Sequence, residues 1–304
     1  MLTYDADNPH RCQSAGPDPR TVVPSVEKVA VASIQHLAEH FHPGLLGARG
    51  RGLSLVLAAL ALPAAAGHDM WIVPLAVAPG ELAEIRLQEG HLAYPMESPR
   101  DDAHLARFAA IGPSREELAL VGLDGDDPAG VFRPGEAGLW TVLYQSVESF
   151  SKLPPELFNA YLEEEGLDAI LELRRQRGAD GDPGRELYSR SIKSLFQVGS
   201  TATADRAVGL PLELVIETGP KPRSGALRLR LLLHGEPLAG ALVEVQSFAD
   251  GKRVAAWRTD GDGHADFEFG PGAWMASVTH MEPETASPRA DWRSRHAILT
   301  WVID

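Results

Sequence analysis

The clearest candidate for chemistry is a histidine that directly follows a long apolar run. His68 comes after Gly67 and the run LSLVLAALALPAAA at 53–66. Cleavage after Ala66 would let the terminal amine, the His68 amide nitrogen and the imidazole chelate in one plane, which suits Ni(II) or Cu(II). Cleavage after Gly67 would let the amine and the imidazole of His68 clamp a copper ion. Both products predict a metal site at His68, and the alternative is a polar residue at a frayed terminus.

Two further histidines stand where strands are predicted to end. His91 lies in EGHLAYP, and His280 closes WMASVTH. Strand ends can converge on one rim with the terminus, so both are candidate metal ligands beside His68. The alternative for each is a structural role, because lone histidines commonly occur without metal. Three other histidines are interpreted as turn or strand residues: His234, His264 and His296.

Two acidic motifs receive structural interpretations. AspGlyAspGly at 260–263 begins like a calcium loop, but the later acidic ligands are missing, so a tight hairpin is predicted. GluGluGlu at 163–165 is typical of a solvated helix face. No nucleophile elbow, phosphate-binding loop or dinucleotide fingerprint occurs. The sequence therefore has no recognisable catalytic constellation, and we expect a protein that is not an enzyme.

The apolar run itself predicts a signal peptide. Arg49 and Arg51 precede it and small residues close it, which is the order that signal peptidase requires. The run is shorter than the roughly 20 residues needed to cross a bilayer. It is not followed by a cysteine, so a lipoprotein is not indicated. We therefore expect residues 49–67 to be removed and residues 1–48 to be a non-native or disordered extension. The processed protein is expected to be periplasmic or secreted and not to span the membrane.

Charge and cysteine content exclude several classes of function. The only cysteine, Cys12, precedes the expected cleavage site, which excludes thiolate chemistry in the processed protein. The net charge of −14 falls on the part after the leader, because the acids and bases of the leader cancel. Such a surface disfavours nucleic acid and anionic lipid, and it attracts cations.

The segments around these residues predict a mainly β protein. Short period-two segments such as ELAEIRLQ and GLWTVLYQ, separated by turn clusters, predict an N-terminal β domain over 68–150. A helical insertion is predicted over 151–200, first as two short helices and then as a helical or irregular piece, GRELYSRSIKSLF. Alternating segments such as LRLRL and LVEVQ predict a C-terminal β-sandwich of about seven strands over 205–304. Both β domains are expected to be sandwiches.

The order of these motifs resembles a bacterial family of exported proteins, some of which are regarded as periplasmic components of cobalt and nickel uptake transporters (NikK-like). The matching segments run from HDMWIVP to DWRSRHAILTWV and include EGH, LPPELFNAYLEEEGLDAILELRRQRG and TDGDGHADFEFGPGAWMASVTHM. The resemblance implies a prealbumin-like or immunoglobulin-like C-terminal domain and transition-metal binding outside the inner membrane. His68, His91 and His280 match the histidines of its motifs.

These observations lead to one expected function and two alternatives. We expect an accessory protein that binds Ni(II) or Co(II), with Cu(II) as the alternative ion, and that delivers the ion to separate membrane subunits of an importer. The first alternative is an oxidative copper enzyme that uses His68 in a histidine clamp. The second is a metal-independent module that binds carbohydrate or protein, with Trp71, Trp274 and Trp292 as candidate contacts.

Overall fold

The computed structural model describes residues 69–74, 77–201, 203–218 and 225–303, which form a mainly β protein. These residues belong to one unit that spans 61–304. The predicted ligands Gly67 and His68 lie outside the described residues. The predicted signal peptide and the predicted extension over 1–48 lie outside them as well.

The chain alternates short strands with tight turns before and after a pair of helices. The strands before the helices are β1 (Asp69–Ile72), β2 (Ala83–Ile85), β3 (Leu87–His91), β4 (Tyr94–Glu97), β5 (Leu105–Ile111), β6 (Glu117–Ala119), β7 (Gly130–Phe132), β8 (Gly138–Ser146) and β9 (Ser149–Leu153). The helices are α1 (Pro155–Glu164) and α2 (Asp168–Gln176). The later strands are β10 (Gly184–Val198), β11 (Leu212–Ile216), β12 (Gly225–Leu233), β13 (Glu236–Pro237), β14 (Leu242–Ser247), β15 (Arg253–Arg258), β16 (His264–Phe269), β17 (Gly272–Pro283) and β18 (Trp292–Ile303).

One large sheet, called the main sheet below, joins strands from both predicted β domains. Its order is β15-β14-β17-β18-β10-β8-β5-β6, and β9 also pairs with β10. Its strands pair antiparallel except for β10 and β18, which run parallel from the pair Glu186 and Trp292 to the pair Ser194 and Thr300. Smaller sheets are formed by β1-β3-β4, by β2-β7 and by β11-β12-β13 with β16.

The main sheet has a hydrophobic core on each face, which makes the fold a β-sandwich. Neighbouring residues of a strand point to opposite faces, so in β18 Ile298 packs into one core and Leu299 into the other. The first core also contains Trp71 of β1, and the second contains Leu229 of β12. The sheets of β1 and β12 therefore cover opposite faces of the main sheet. The predicted mainly β sandwich with a short helical insertion is confirmed.

The two predicted short helices cap one end of the main sheet. A pair of prolines opens α1, where a missing backbone N–H is tolerated, and Gly166 (φ +65°) allows the turn into α2. Phe158 of α1 packs with Met281 of β17 and Trp292 of β18. Trp292 and Ile298 are an even number of positions apart in β18, so their side chains point to the same face of the main sheet. Ile298 packs in the core that contains Trp71 of β1, so the helices lie on the same face as β1.

Strand β10 corrects the prediction for the second half of the insertion. The sequence predicts a helical or irregular piece for GRELYSRSIKSLF, but this segment belongs to a 15-residue strand inside the main sheet. The strand is buried on both faces, and its buried residues include polar ones, which hides the period-two pattern. These buried polar residues are Glu186, Ser191, Lys193 and Ser194. Within the described part of 151–200, helix is confined to α1 and α2.

Lys193 of β10 anchors a polar network inside the fold. Its ammonium lies 2.9 Å from Asp205 Oδ1 and 3.2 Å from Glu213 Oε1. Glu213 in turn accepts the backbone N–H groups of residues 208–210. All three charged side chains are almost completely shielded from water. Separation of Lys193 from Asp205 and Glu213 would leave buried charges without partners, which is strongly unfavourable. The triad therefore holds residues 203–216 against β10.

We predict that Gly184→Ala destabilises the protein, because a Cβ at this position would lie 2.0 Å from the Phe158 ring. Phe158 is fully buried, so its ring cannot easily move away. We expect a loss of about 2 kcal/mol in the free energy of unfolding, which is typical of overpacking. Urea denaturation measures this loss, and Gly181→Ala is the matched control because a Cβ there meets nothing within 4 Å. Equal stability of the two variants would contradict the packing described.

Candidate functional site

A cavity of about 360 Å³ lies over one face of the main sheet, bounded by β1, β9, α1, β10 and β18. We call it the acidic cavity. Its wall contains four acidic side chains and one histidine: Asp69, Glu89, Glu165, Glu186 and His296. Tyr161, Tyr188 and Arg190 extend the polar part of the wall. The four acidic residues are buried or partly buried, so the cavity gathers carboxyl groups where contact with water is limited.

Strand register and the end of α1 bring these groups together. Arg190 of β10 pairs with His296 of β18, which pairs with Thr279 of β17. Asp69 is the first residue of β1 and lies at the edge of the sheet that covers this face. Glu165 follows the last residue of α1. A carboxylate there is unfavourable because the C-terminal end of a helix carries partial negative charge.

A chain of hydrogen bonds connects two of the carboxyl groups through His296. The Thr279 hydroxyl lies 2.6 Å from Glu165 Oε2 and 3.1 Å from His296 Nδ1. On the other side of the ring, the Ser294 hydroxyl lies 3.3 Å from His296 Nε2 and hydrogen-bonds with Glu186 Oε1. Both imidazole nitrogens are therefore engaged, and the ring is held in a fixed orientation.

The number of protons in this chain follows from its geometry. Four hydrogen bonds connect Glu165 to Glu186, and each needs one proton. Burial, together with the positive charge of Arg190, lowers the pKa of His296 to about 3, so the imidazole is neutral. The two hydroxyls and the neutral imidazole supply one proton each. Completion of all four hydrogen bonds therefore requires a proton on one of the two carboxyl groups.

The pKa shifts of the carboxyl groups agree with this requirement. Burial raises the pKa of Glu165 to about 8, and repulsion from Asp69 adds to the shift. Burial likewise raises the pKa of Asp69 to about 7, although Arg190 opposes the shift. Burial also raises the pKa of Glu186. The acidic cavity therefore holds more potential negative charge than its own cations balance.

The predicted metal ligands occupy different positions relative to this cavity. His68 lies outside the described residues, but it directly precedes Asp69 in the chain. His91 is exposed at the end of β3 and does not line the cavity. His280 of β17 lines a separate pocket with the loop between α1 and α2. The structure thus brings neither His91 nor His280 into the acidic cavity.

Among the described residues, one group of three potential ligands has donor atoms within 4.8 Å of one another, namely Asp260, Asp262 and His264. It lies in the turn between β15 and β16. Asp260 Oδ1 accepts the backbone N–H groups of Asp262 and His264, and His264 Nε2 lies 3.0 Å from Glu217 Oε2. These contacts account for the residues as a tight turn. The predicted hairpin is wrong, because β15 pairs with β14 in the main sheet whereas β16 pairs with β12 in another sheet.

Sequence reasoning missed the main residues of the acidic cavity. It treats His296 as an ordinary strand residue and Glu163 to Glu165 as one solvated face. Glu163 is exposed, whereas Glu165 lines the cavity. The available signal was the position of an acidic run at the C-terminal end of a helix, where negative charge is unfavourable.

The tryptophans considered as contacts for carbohydrate or protein serve in the interior. Trp71 and Trp292 are almost completely buried in hydrophobic clusters. Trp274 is partly buried, packs 4.9 Å from the ring of Phe269 and donates its indole N–H to the Gly270 carbonyl. These positions indicate packing as the use of Trp71 and Trp292.

The described residues form a β-sandwich with a two-helix cap beside an acidic cavity. Residues 65–282 match the family described as a domain of unknown function, DUF4198. The chain therefore belongs to this family. Comparison with curated proteins gives no match. Neither helix of the described chain is long and apolar enough to cross a membrane.

Solved structures show only distant similarity. Native alpha-2-macroglobulin from Escherichia coli, spanning domains NIE-MG1, is 8% identical with a TM-score of 0.19, and the alignment covers 75% of this chain and 97% of that chain. Dimeric latent PorU from Porphyromonas gingivalis is 11% identical with a TM-score of 0.19, covering 84% of this chain and 22% of that chain. Similarity at this level supports no conclusion about function.

We predict that Glu165→Gln stabilises the metal-free protein at high pH. The raised pKa means that ionisation of Glu165 opposes folding, so this destabilisation is absent well below its ordinary pKa of 4.5 and complete above about 8. The free energy of unfolding of the variant should equal that of the wild type at about pH 4 and exceed it by roughly 1–2 kcal/mol at about pH 9. Urea denaturation at both pH values measures the difference.

The exposed neighbour Glu163 supplies the control, since Glu163→Gln changes the same charge outside the cavity. A pH-independent effect of Glu165→Gln, or an equal effect of Glu163→Gln, would contradict the burial of Glu165 in the acidic cavity.

Proposed function

We propose that this protein binds a divalent transition-metal ion, Ni(II) or Co(II), in the acidic cavity beside Asp69. The observation that carries the proposal is the set of buried carboxyl groups with raised pKa values at the start of β1. Burial makes the charged form of each group unfavourable, and a bound cation supplies the missing opposite charge. The metal ion is the cargo of the protein in this proposal.

The donor set suits a borderline transition metal. A neutral imidazole binds nickel, cobalt and copper, and carboxylates supply charge. Asp69 and Glu165 offer carboxylates at the cavity wall, and His68 would supply the imidazole. Both ring nitrogens of His296 contact the hydroxyls of Thr279 and Ser294, so His296 positions Glu165 through Thr279 and is not itself a ligand. Among the described residues, Asp69 and Glu165 belong to no group of three potential ligands whose donor atoms all lie within 4.8 Å of one another. The proposal therefore assigns the remaining coordination to His68 and water.

The chain order explains why His68 belongs to this proposal. Asp69 lines the acidic cavity, and His68 is joined to it by one peptide bond. Removal of the predicted leader would therefore create a free amine within one or two residues of the cavity. Peptide cleavage would add nitrogen donors to a site whose carboxyl groups are already in place.

Delivery to a membrane importer completes the proposed role. The resemblance to exported components of cobalt and nickel uptake systems supports a place in the periplasm and a partner among separate membrane subunits. The net charge of −14 supports attraction of cations over binding of nucleic acid. We propose a binding protein and not an enzyme.

Metal titration by calorimetry tests the proposal. Protein that begins at Gly67 or at His68 should bind Ni(II) or Co(II), and His68→Ala, Asp69→Asn and His296→Ala should each weaken binding at least about tenfold. Protein that retains the leader should also bind more weakly. Asp262→Asn is the control, because it lies in the exposed turn and should bind like the wild type.

Two outcomes would overturn this function. Equal affinity in all these proteins would remove the acidic cavity and His68 from the site, and loss of affinity in Asp262→Asn alone would move the site to the exposed turn. Binding of Cu(II) accompanied by copper-dependent production of peroxide would instead support the oxidative copper enzyme. Circular dichroism of each variant establishes that it is folded before titration.

A further inference from the structure

A second pocket, of about 380 Å³, has the opposite electrostatic character. We call it the basic pocket. Its wall contains four cationic and two acidic side chains: Lys152, Arg174, Arg177, Arg185, Asp182 and Asp291. It shares no lining residue with the acidic cavity. An excess of positive charge in one pocket is unexpected in a chain whose net charge is −14.

Arg174 of α2 forms the floor of the basic pocket. Its side chain is buried, with 1% of the residue exposed. Nε donates to Asn159 Oδ1 at 3.1 Å and Nη2 donates to the Asp182 carbonyl at 2.7 Å, and both acceptors are neutral. A guanidinium has five N–H bonds, so donors remain available. Within the described chain no carboxylate forms an ion pair with this buried cation.

The opposite wall places two cations directly across a strand pair. Lys152 of β9 pairs with Arg185 of β10, an arrangement that is unfavourable for like charges. Asp291 neutralises Arg185 through contacts of 2.6 Å and 2.9 Å. Lys152 has no such carboxylate partner among the described residues.

The remaining wall combines a cation with an aromatic surface. The Arg177 guanidinium lies 5.7 Å from the centre of the Trp292 ring. Trp292 is 2% exposed, and its indole N–H is a buried donor without a hydrogen-bond partner in the described chain. The basic pocket therefore places one buried N–H without a hydrogen-bond partner beside its cations.

Stabilisation of a helix end explains only part of this cluster. Cations in the last turn of a helix interact favourably with its dipole, and this applies to Arg174 and Arg177 near the end of α2. It does not apply to Lys152 and Arg185, which come from two strands. The Arg174 guanidinium lies 4.8 Å from the centre of the Phe158 ring, and this cation–π contact stabilises the buried side chain but supplies no opposite charge.

We propose that the basic pocket binds a small organic di- or tricarboxylate. Arg174 binds one carboxylate from the floor, and Lys152 and Arg177 bind a second at the mouth. Paired N–H groups of a guanidinium match the two oxygens of a carboxylate. The excess of cations over acids in the wall matches a dianion, and cations at both the floor and the mouth favour an anion with two separated charges over a compact inorganic anion.

Calorimetry and thermal unfolding with succinate, citrate and inorganic phosphate test this proposal on metal-free protein. Succinate or citrate should bind and raise the melting temperature, whereas phosphate should bind at least about tenfold more weakly. Lys152→Gln and Arg177→Gln should each weaken binding about tenfold, because both side chains are exposed and their loss leaves the fold intact. Arg175→Gln, an exposed neighbour on α2 outside the pocket, should bind like the wild type.

Absence of carboxylate binding, stronger binding of phosphate, or equal binding by all the variants would overturn the proposal. Arg174→Lys provides a second measure, because it keeps the charge but loses the paired N–H groups; it should weaken carboxylate binding while the protein stays folded. Asp69→Asn should leave carboxylate binding unchanged, so this result is independent of the metal-binding function.

Discussion

The parallel pairing of β10 with β18 is the constraint on which the rest of the structure depends. Parallel strands need a long crossover between them, and here the crossover contains β11 to β17. The pair also joins β8 and β5 on one side to β17 and β14 on the other, so both cores of the sandwich require it. The row of Arg190, His296 and Thr279 exists only because this register aligns residues that lie far apart in sequence.

The alternation of side-chain direction along β9 and β10 places residues of the acidic cavity and residues of the basic pocket at adjacent positions of the same strands. Ser151 and Glu186 are cross-strand partners that line the acidic cavity, and the next pair, Lys152 and Arg185, lines the basic pocket. Because successive side chains of a strand point to opposite faces, a single step along β9 and β10 changes the polarity of the wall. The backbone thereby holds the carboxyl group of Glu186 apart from the cations of Lys152 and Arg185.

Local sequence signals predicted the fold better than they predicted the cavity. Prolines, glycines and apolar spacing indicated α1 and α2, and period-two segments indicated most strands. The signals failed for β10, where buried Lys193 and Ser194 interrupt the apolar pattern. Their burial depends on partners such as Asp205 and Thr300, which local periodicity cannot reveal.

The acidic cavity was hidden for a related reason. Glu165, Glu186 and His296 come from a helix end and two strands, and no short motif contains any two of them. Only the tertiary fold establishes that they share a wall. The resemblance to exported proteins emphasised His68, His91 and His280, whereas the described structure places only the neighbour of His68 in the cavity wall.

The position of β18 also has a consequence for how the protein folds. It is the last strand of the described residues, yet it lies inside the main sheet between β17 and β10. During synthesis from the amino terminus, the earlier strands cannot join the later ones until Trp292–Ile303 has been made. Pairings over such long sequence separations form slowly. The earlier strands therefore keep unpaired edges until β18 has joined the main sheet.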